Sequence, residues 1–329
     1  MKDFRTELKV TPSRVSINLK NDIFTQGSCF ADAIGDRLAA HRLKTCINPF
    51  GVIYNPESIH KVLTYSIFNE PLPEHTFLQH QEVFLNYNFH SEFSALKKED
   101  LTVRLMNTIG STHYFLKDTD WLLITYGTAW VYQRKETGEI VANCHKLPPA
   151  MFTRSLLTAG AIQSSFRTFY DQLKRFNPAI RVILTVSPVR HIKDTLELNA
   201  VSKSILRVAC HDIAHQFDDV EYFPAYEMMI DDLRDYRFYR TDRVHPTEEA
   251  EDYIWEKFME RYFTPGLMEF VQKWNVILAA LRHRPFHPEA AAHQRFLRDT
   301  LEKLNELKEQ VNVEAEKALI KERLTKQTL

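Results

Sequence analysis

Residues 24–38 read FTQGSCFADAIGDRL: an apolar run breaks at Gly27 and Ser28 and resumes as a helical pattern, with Ile34, Leu38 and Leu43 on one face. A strand that stops at a glycine and turns directly into a helix is the first unit of an open α/β sheet. Such sheets bind ligands outside the carboxyl ends of their strands. Ser28 has two readings here. It is the N-cap of the helix, or it is a nucleophile whose oxyanion would be held by the free amides of the first helical turn.

The unit repeats along the chain. Asp22–Thr25, Thr45–Asn48, Asp120–Gly127, Pro178–Pro188 and a run starting at Val220 read as strands. Helical spacing covers 31–43, 149–176, 195–217 and 247–263. Strand–helix alternation predicts a three-layer α/β/α domain with about five parallel strands. There are only eight glycines among 329 residues, so the placement of Gly27, Gly51 and Gly127 after apolar runs marks strand ends. Residues 56–118, rich in Phe, Tyr and His, interrupt the alternation; they are expected to pack over the site as a wall or lid, or to decorate the surface. A boundary is expected near residue 265, giving a main domain over 1–265 and a helical extension over 266–329. Within the extension, residues 289–329 lack Gly and Pro. Leu297, Leu301, Leu304, Val311, Ala315 and Ala318 form a heptad-like stripe interrupted by Lys308. That stripe implies a long amphipathic helix or a helix pair, docked on its own domain or pairing with a second copy.

Bulk properties narrow the function. A net charge of −1 supplies no general attraction to nucleic acid or an anionic membrane. No apolar run has membrane-spanning length, and the N-terminal MKDFRTELKV lacks a signal-peptide core, so a cytoplasmic protein is expected. The cysteines, Cys29, Cys46, Cys144 and Cys210, form no CxxC pair, so neither a disulfide framework nor a zinc site is expected. Buried, inert thiols are the expectation for them. Neither cofactor nor metal is implied.

A second chemical signal is YRTDRVHPTEEAEDYIW, Tyr239 to Trp255. Asp242 and His245 stand three apart in a loop that Pro246 closes before a helix. The carboxylate can reach the imidazole and fix its tautomer. A DxxH also occurs as a plain loop hydrogen bond. Its interest lies in its place, beside the last helix and at the same sheet edge as Ser28.

These residues resemble a family. GSCFA stands at Gly27–Ala31. NPFGVIYNP (48–56), YGTAWVY (126–132), NCHK (143–146), TVSPVRH (185–191) and LRDYRFYRTDRVHP (233–246) follow in order. Over about residues 20–260 the chain resembles the GSCFA-domain proteins, which are related to the SGNH/GDSL hydrolases. The resemblance implies an SGNH-hydrolase-like, flavodoxin-like fold. It also implies a serine esterase or deacylase acting on a small acyl ester, of a carbohydrate or a lipid, through an acyl-enzyme. Acyl transfer and a non-catalytic binding module on the same fold are the alternatives. It places the nucleophile at Ser28, the base at His245, its acid partner at Asp242 and an oxyanion amide at Gly51.

One departure stands out. Where the superfamily has an oxyanion Asn two residues after a strand-end glycine, Gly127 is followed by Thr128 and Ala129. Asn143 and His145 are the candidates to fill that place, with structural roles as the alternative. Arg190, after the fourth strand, would bind an anionic group or make an ion pair. Cys29 is expected to point back into the domain, leaving Ser28 as the nucleophile.

Overall fold

The structure is a computed structural model that describes residues 6–193 and 195–325. Its strands are β1 (Asp22–Gly27), β2 (Lys44–Ile47), β3 (Phe77–His80), β4 (Val83–Asn86), β5 (Trp121–Tyr126), β6 (Trp130–Arg134), β7 (Ile140–Val141), β8 (Phe152–Leu156), β9 (Arg181–Val186) and β10 (Val220–Phe223). Its helices are α1 (Cys29–Ala40), α2 (Pro56–Phe68), α3 (Lys98–Asp118), α4 (Ala159–Phe176), α5 (Leu196–Gln216), the single turn α6 (Ala225–Glu227), α7 (Glu248–Tyr262), α8 (Pro265–Arg282), α9 (Ala291–Leu307) and α10 (Glu314–Thr325).

Five strands form an all-parallel sheet in the order β2-β1-β5-β9-β10. This is the three-layer α/β/α architecture expected. Side chains alternate between two cores, as the period of a strand requires. Ile23, Leu123, Ile183 and Phe223 pack with α1 and α7. Phe24, Leu122, Ile124, Val182 and Leu184 pack with α2, α3, α4 and α5. The strand order reverses direction between β1 and β5. That switch point opens a crevice at the carboxyl ends of those two strands.

Three expectations change in detail. Residues 149–176 are not one helix. Phe152–Leu156 pairs antiparallel with β6, Arg154 stacks 3.9 Å over the Trp130 ring, and α4 begins at Ala159, capped by Thr158. The 56–118 segment is mostly core: α2 and α3 carry buried Ile59, Val62, Leu63, Leu105 and Ile109. The β3–β4 hairpin forms a small sheet of its own, and the loop after it returns to the core through Phe89 and Phe93. They join β7 through Tyr87, whose carbonyl accepts from Ala142 N (2.9 Å) and Asn143 N (3.2 Å). The C-terminal stripe is a helix pair, α9 and α10, and its heptad register breaks at the turn between them. Leu297 and Leu304 are buried, but α10 buries Ile320 and leaves Ala315 and Ala318 exposed.

This pair and α8 share the core of α1 and α7. Trp274 of α8 is buried and donates its indole N–H to Ala40 O (2.8 Å). Removing the tail after residue 288 should lower the melting temperature, and Leu304→Ala alone should cost about 2–5 kcal/mol. Unchanged thermal unfolding in both variants contradicts this docking.

His60 generates a pH prediction. It is buried, stacked on Phe169, with Nε2 2.6 Å from Tyr126 OH and Nδ1 2.8 Å from Ser165 Oγ. Burial holds its pKa at about 3, against 6.5 for a free histidine. The unfolded chain therefore binds the extra proton between those values. Stability is full above about pH 6.5 and falls as the pH drops toward 3. His60→Gln should flatten that part of the pH dependence of the urea midpoint; an unaltered slope contradicts it.

Candidate active site

The site begins at Gly27. Its N–H donates to Asn48 Oδ1 (2.8 Å), its carbonyl accepts from Ile53 N (2.9 Å), and a Cβ there would meet Thr125 O at 2.2 Å. Its φ of +150° also suits glycine. The chain is thus held in one path between β1 and β5 before α1 starts. The next residue, Ser28, is fully buried and is the N-cap of α1. Its Oγ accepts from Phe30 N (3.3 Å) and its N–H donates to Thr125 O (3.1 Å). Cys29 is the first helical residue and is half-buried. It lines a cleft of about 300 Å³ together with Asp32, Val189, Arg240, His245 and Glu251.

The second half of the site is the 242–245 loop. Asp242 Oδ1 accepts from Val244 N (2.8 Å) and His245 N (3.0 Å), and Oδ2 lies 2.7 Å from His245 Nδ1. The His245 and Val244 amides, with the ring, hold the Asp242 carboxyl well below the usual carboxylate range. An ionised carboxylate only accepts, so Nδ1 carries a proton, and the neutral form of the ring is the tautomer whose free lone pair is on Nε2. That is the state a general base needs. Arg243 takes a left-handed backbone (φ +59°) that lets the loop close so tightly. Backbone bonds Arg240 N–His245 O (2.8 Å) and Arg190 N–Val244 O (3.1 Å) fix it to its surroundings.

The remaining expected residues are placed as follows. Gly51 N–H is taken by Asn48 O (2.7 Å) and Gly127 N–H by Tyr54 O (2.8 Å), so neither amide is free for an oxyanion. Gly51 instead permits close packing: a Cβ there would meet Glu92 Oε1 at 2.3 Å and His90 Cβ at 2.5 Å. Ala129 is buried and its N–H donates to Ser202 Oγ (2.8 Å). Asn143 donates to Ser91 Oγ (2.9 Å), and His145 Nε2 lies 2.8 Å from Asn86 O. Both serve the hairpin and the 90–92 loop that presses on Gly51, rather than Ser28. Arg190 lies 3.8 Å over the Tyr239 ring and braces the 242–245 loop. Of the four thiols only Cys210 is buried. No group of three or more His, Cys, Asp or Glu suited to a metal occurs among the described residues, and no helix among them is long and apolar enough to cross a membrane.

The GSCFA family model matches residues 22–258, and that of the GSCFA domain protein C-terminal domain matches 274–326. The chain belongs to the GSCFA family. Solved structures similar to it include a carbohydrate esterase family 3 from Talaromyces cellulolyticus, at 10% identity and a TM-score of 0.36, covering 77% of this chain and 98% of that one. An acetyl xylan esterase from Butyrivibrio proteoclasticus matches at 10% identity and a TM-score of 0.37, covering 75% of this chain and 64% of that one. No curated protein matches the chain.

In this GSCFA protein two further groups stand at the crevice, and neither was singled out strongly by sequence. His191 Nε2 is buried without a partner, 3.1 Å from where a Cβ on Gly127 would sit, and its ring meets Tyr54 edge-on at 5.0 Å. Burial, with Lys203 and His245 nearby, holds its pKa at about 3, so the ring is neutral. Lys203 is fully buried and donates to Gly127 O (2.8 Å) and Ser187 O (2.7 Å), tying the ends of β5 and β9. The signal for His191 was TVSPVRH at a strand end. For Lys203 there was none, because a lysine in a helix usually faces water.

Burial pushes the Lys203 pKa down to about 7 from 10.5. The unfolded chain binds more protons between these values, so this group adds stability as pH rises from about 7. Lys203→Met should lack that contribution. The gap in unfolding free energy between wild type and variant should then widen in favour of wild type from pH 7 to 9. A constant gap contradicts a depressed, buried ammonium.

Proposed function

We propose that this protein is a carboxylic ester hydrolase acting through a covalent acyl-enzyme on a small acyl ester. The observation that carries the reading is the Asp242–His245 pair: a 2.7 Å bond engages Nδ1, and His245 lines a cleft that also reaches the β1–α1 junction. His245 accepts the proton of the attacking group and returns it to the leaving alcohol. Asp242 orients the ring and offsets the imidazolium charge. The base serves whichever of Ser28 and Cys29 carries the acyl group. The neutral His191, with Nε2 unpartnered beside Gly127, takes the oxyanion role for which Ala129 has no side chain. A modest cleft edged by Asp32, Arg240 and Glu251 suits a hydroxyl-rich alcohol such as a sugar, and a short acyl chain. A sugar or other alcohol in place of water as acceptor would make the same site an acyltransferase.

Hydrolysis of p-nitrophenyl acetate, butyrate and octanoate tests this. The acetate should be cleaved fastest. His245→Ala should lower kcat/KM about 10³-fold or more, and Asp242→Asn about 10²–10⁴-fold. His191→Leu should lower kcat about 10²–10³-fold with little change in KM, as loss of an oxyanion donor does. Wild-type rates in His245→Ala would reject the reading and leave a binding module.

A further inference from the structure

The position of helix α1 decides which atom attacks. Resting on the esterase reading above, we infer that the nucleophile is the thiol of Cys29, which makes the intermediate a thioester. Ser28 is enclosed, its hydroxyl oxygen accepts from Phe30 N, and its amide is spent on Thr125 O. It is the cap that starts the helix. Cys29, one residue later, borders the cleft that His245 borders. As the first helical residue its N–H has no intrahelical acceptor and sits beside its own sulfur. An oxyanion formed on a carbonyl attacked by that sulfur lies against this amide. The equivalent amide of Ser28 is unavailable. The same holds for Gly51 and Gly127, whose N–H groups are bonded to carbonyls.

The chemistry balances as follows. His245 Nε2 takes the S–H proton as sulfur adds to the ester carbonyl carbon. The C–O bond to the alcohol breaks, and the alkoxide leaves with the proton from His245. Water then attacks the thioester, giving its proton to His245. The C–S bond breaks, the carboxylic acid departs, and the sulfur regains its proton. Burial and the Asp32 carboxylate raise the Cys29 pKa, so the resting group is a thiol, not a thiolate. The base must act during attack, as it does for a serine.

The test traps the intermediate on the wild-type chain. The protein turning over p-nitrophenyl acetate is quenched in acid, digested, and the acetyl group located by mass spectrometry. Acetyl on Cys29, removed by neutral hydroxylamine as a thioester is, and absent in His245→Gln, is the expected result. Cys46 and Cys144 in the same sample report unactivated thiols and should stay unmodified. Cys29→Ala should lose at least 100-fold in kcat, while Ser28→Ala should still give the Cys29 adduct. A His245-dependent, hydroxylamine-resistant acetyl on Ser28 overturns this inference and leaves the esterase reading standing. An adduct on neither residue, with hydrolysis indifferent to His245, overturns both.

Discussion

The close approach of β1 to β5 at Gly27 is the constraint on which the rest of the site depends. No side chain fits between its Cα and Thr125 O, and its two backbone polar groups are held by Asn48 and Ile53. The chain has one route out of the sheet, and the first turn of α1 follows from it. A shift of one residue in that start would exchange Ser28 and Cys29 between cap and cleft. The clamp comes from three separate segments, so it exists only once β1, β5 and the 48–54 turn are assembled.

The opposite side of the crevice is held by charge. Lys203 reaches the carbonyls at the ends of β5 and β9 from α5, where strand amides no longer supply partners. A buried ammonium is costly, and two carbonyl acceptors offset part of that cost. Burial, with this ammonium adding to it, keeps the neighbouring His191 neutral. An unprotonated imidazole can stand buried there without a counter-ion.

The sheet was legible because its information is local. Each central strand is an apolar run ending in glycine, proline or a charge, and the helices between begin at Thr158, Thr195 and Thr247 caps. The DxxH pair was legible for the same reason, since its hydrogen bonds span three residues. What escaped was non-local. The β8 strand reads as helix because Phe152 and Leu156 fit either period, and only β6 alongside decides between them. Asn143 and His145 looked like oxyanion donors because the sequence shows the vacancy at Ala129 but not the Ser91 and Asn86 atoms that claim their side chains. Of the two readings of Ser28, the structure shows the cap: the residue is buried and starts α1. Strand alternation assigns the first side chain past the strand to the crevice, but a residue whose hydroxyl caps the helix turns inward instead.

The C-terminal helices bear on the site through α1. That helix has its first turn at the cleft and its last at Trp274, which holds Ala40 O; His41, just beyond it, stacks on Trp255 and pairs with Asn275 (2.9 Å). Arg42 reaches both the Trp274 ring and Glu316 of α10. A helix of twelve residues anchored at both ends has little freedom to rotate about its axis, and rotation is the motion that would carry Cys29 away from His245. Along its length, Arg37 ties α1 to Glu251 and Asp252 of α7, the helix that follows directly from the Asp242–His245 loop. Both halves of the site are therefore fastened to one frame of α1, α7 and α8, and α9 and α10 complete its core. Precision at the junction and stability of the tail are consequences of the same packing, which gives a physical reason for a five-stranded sheet to carry so long a helical extension.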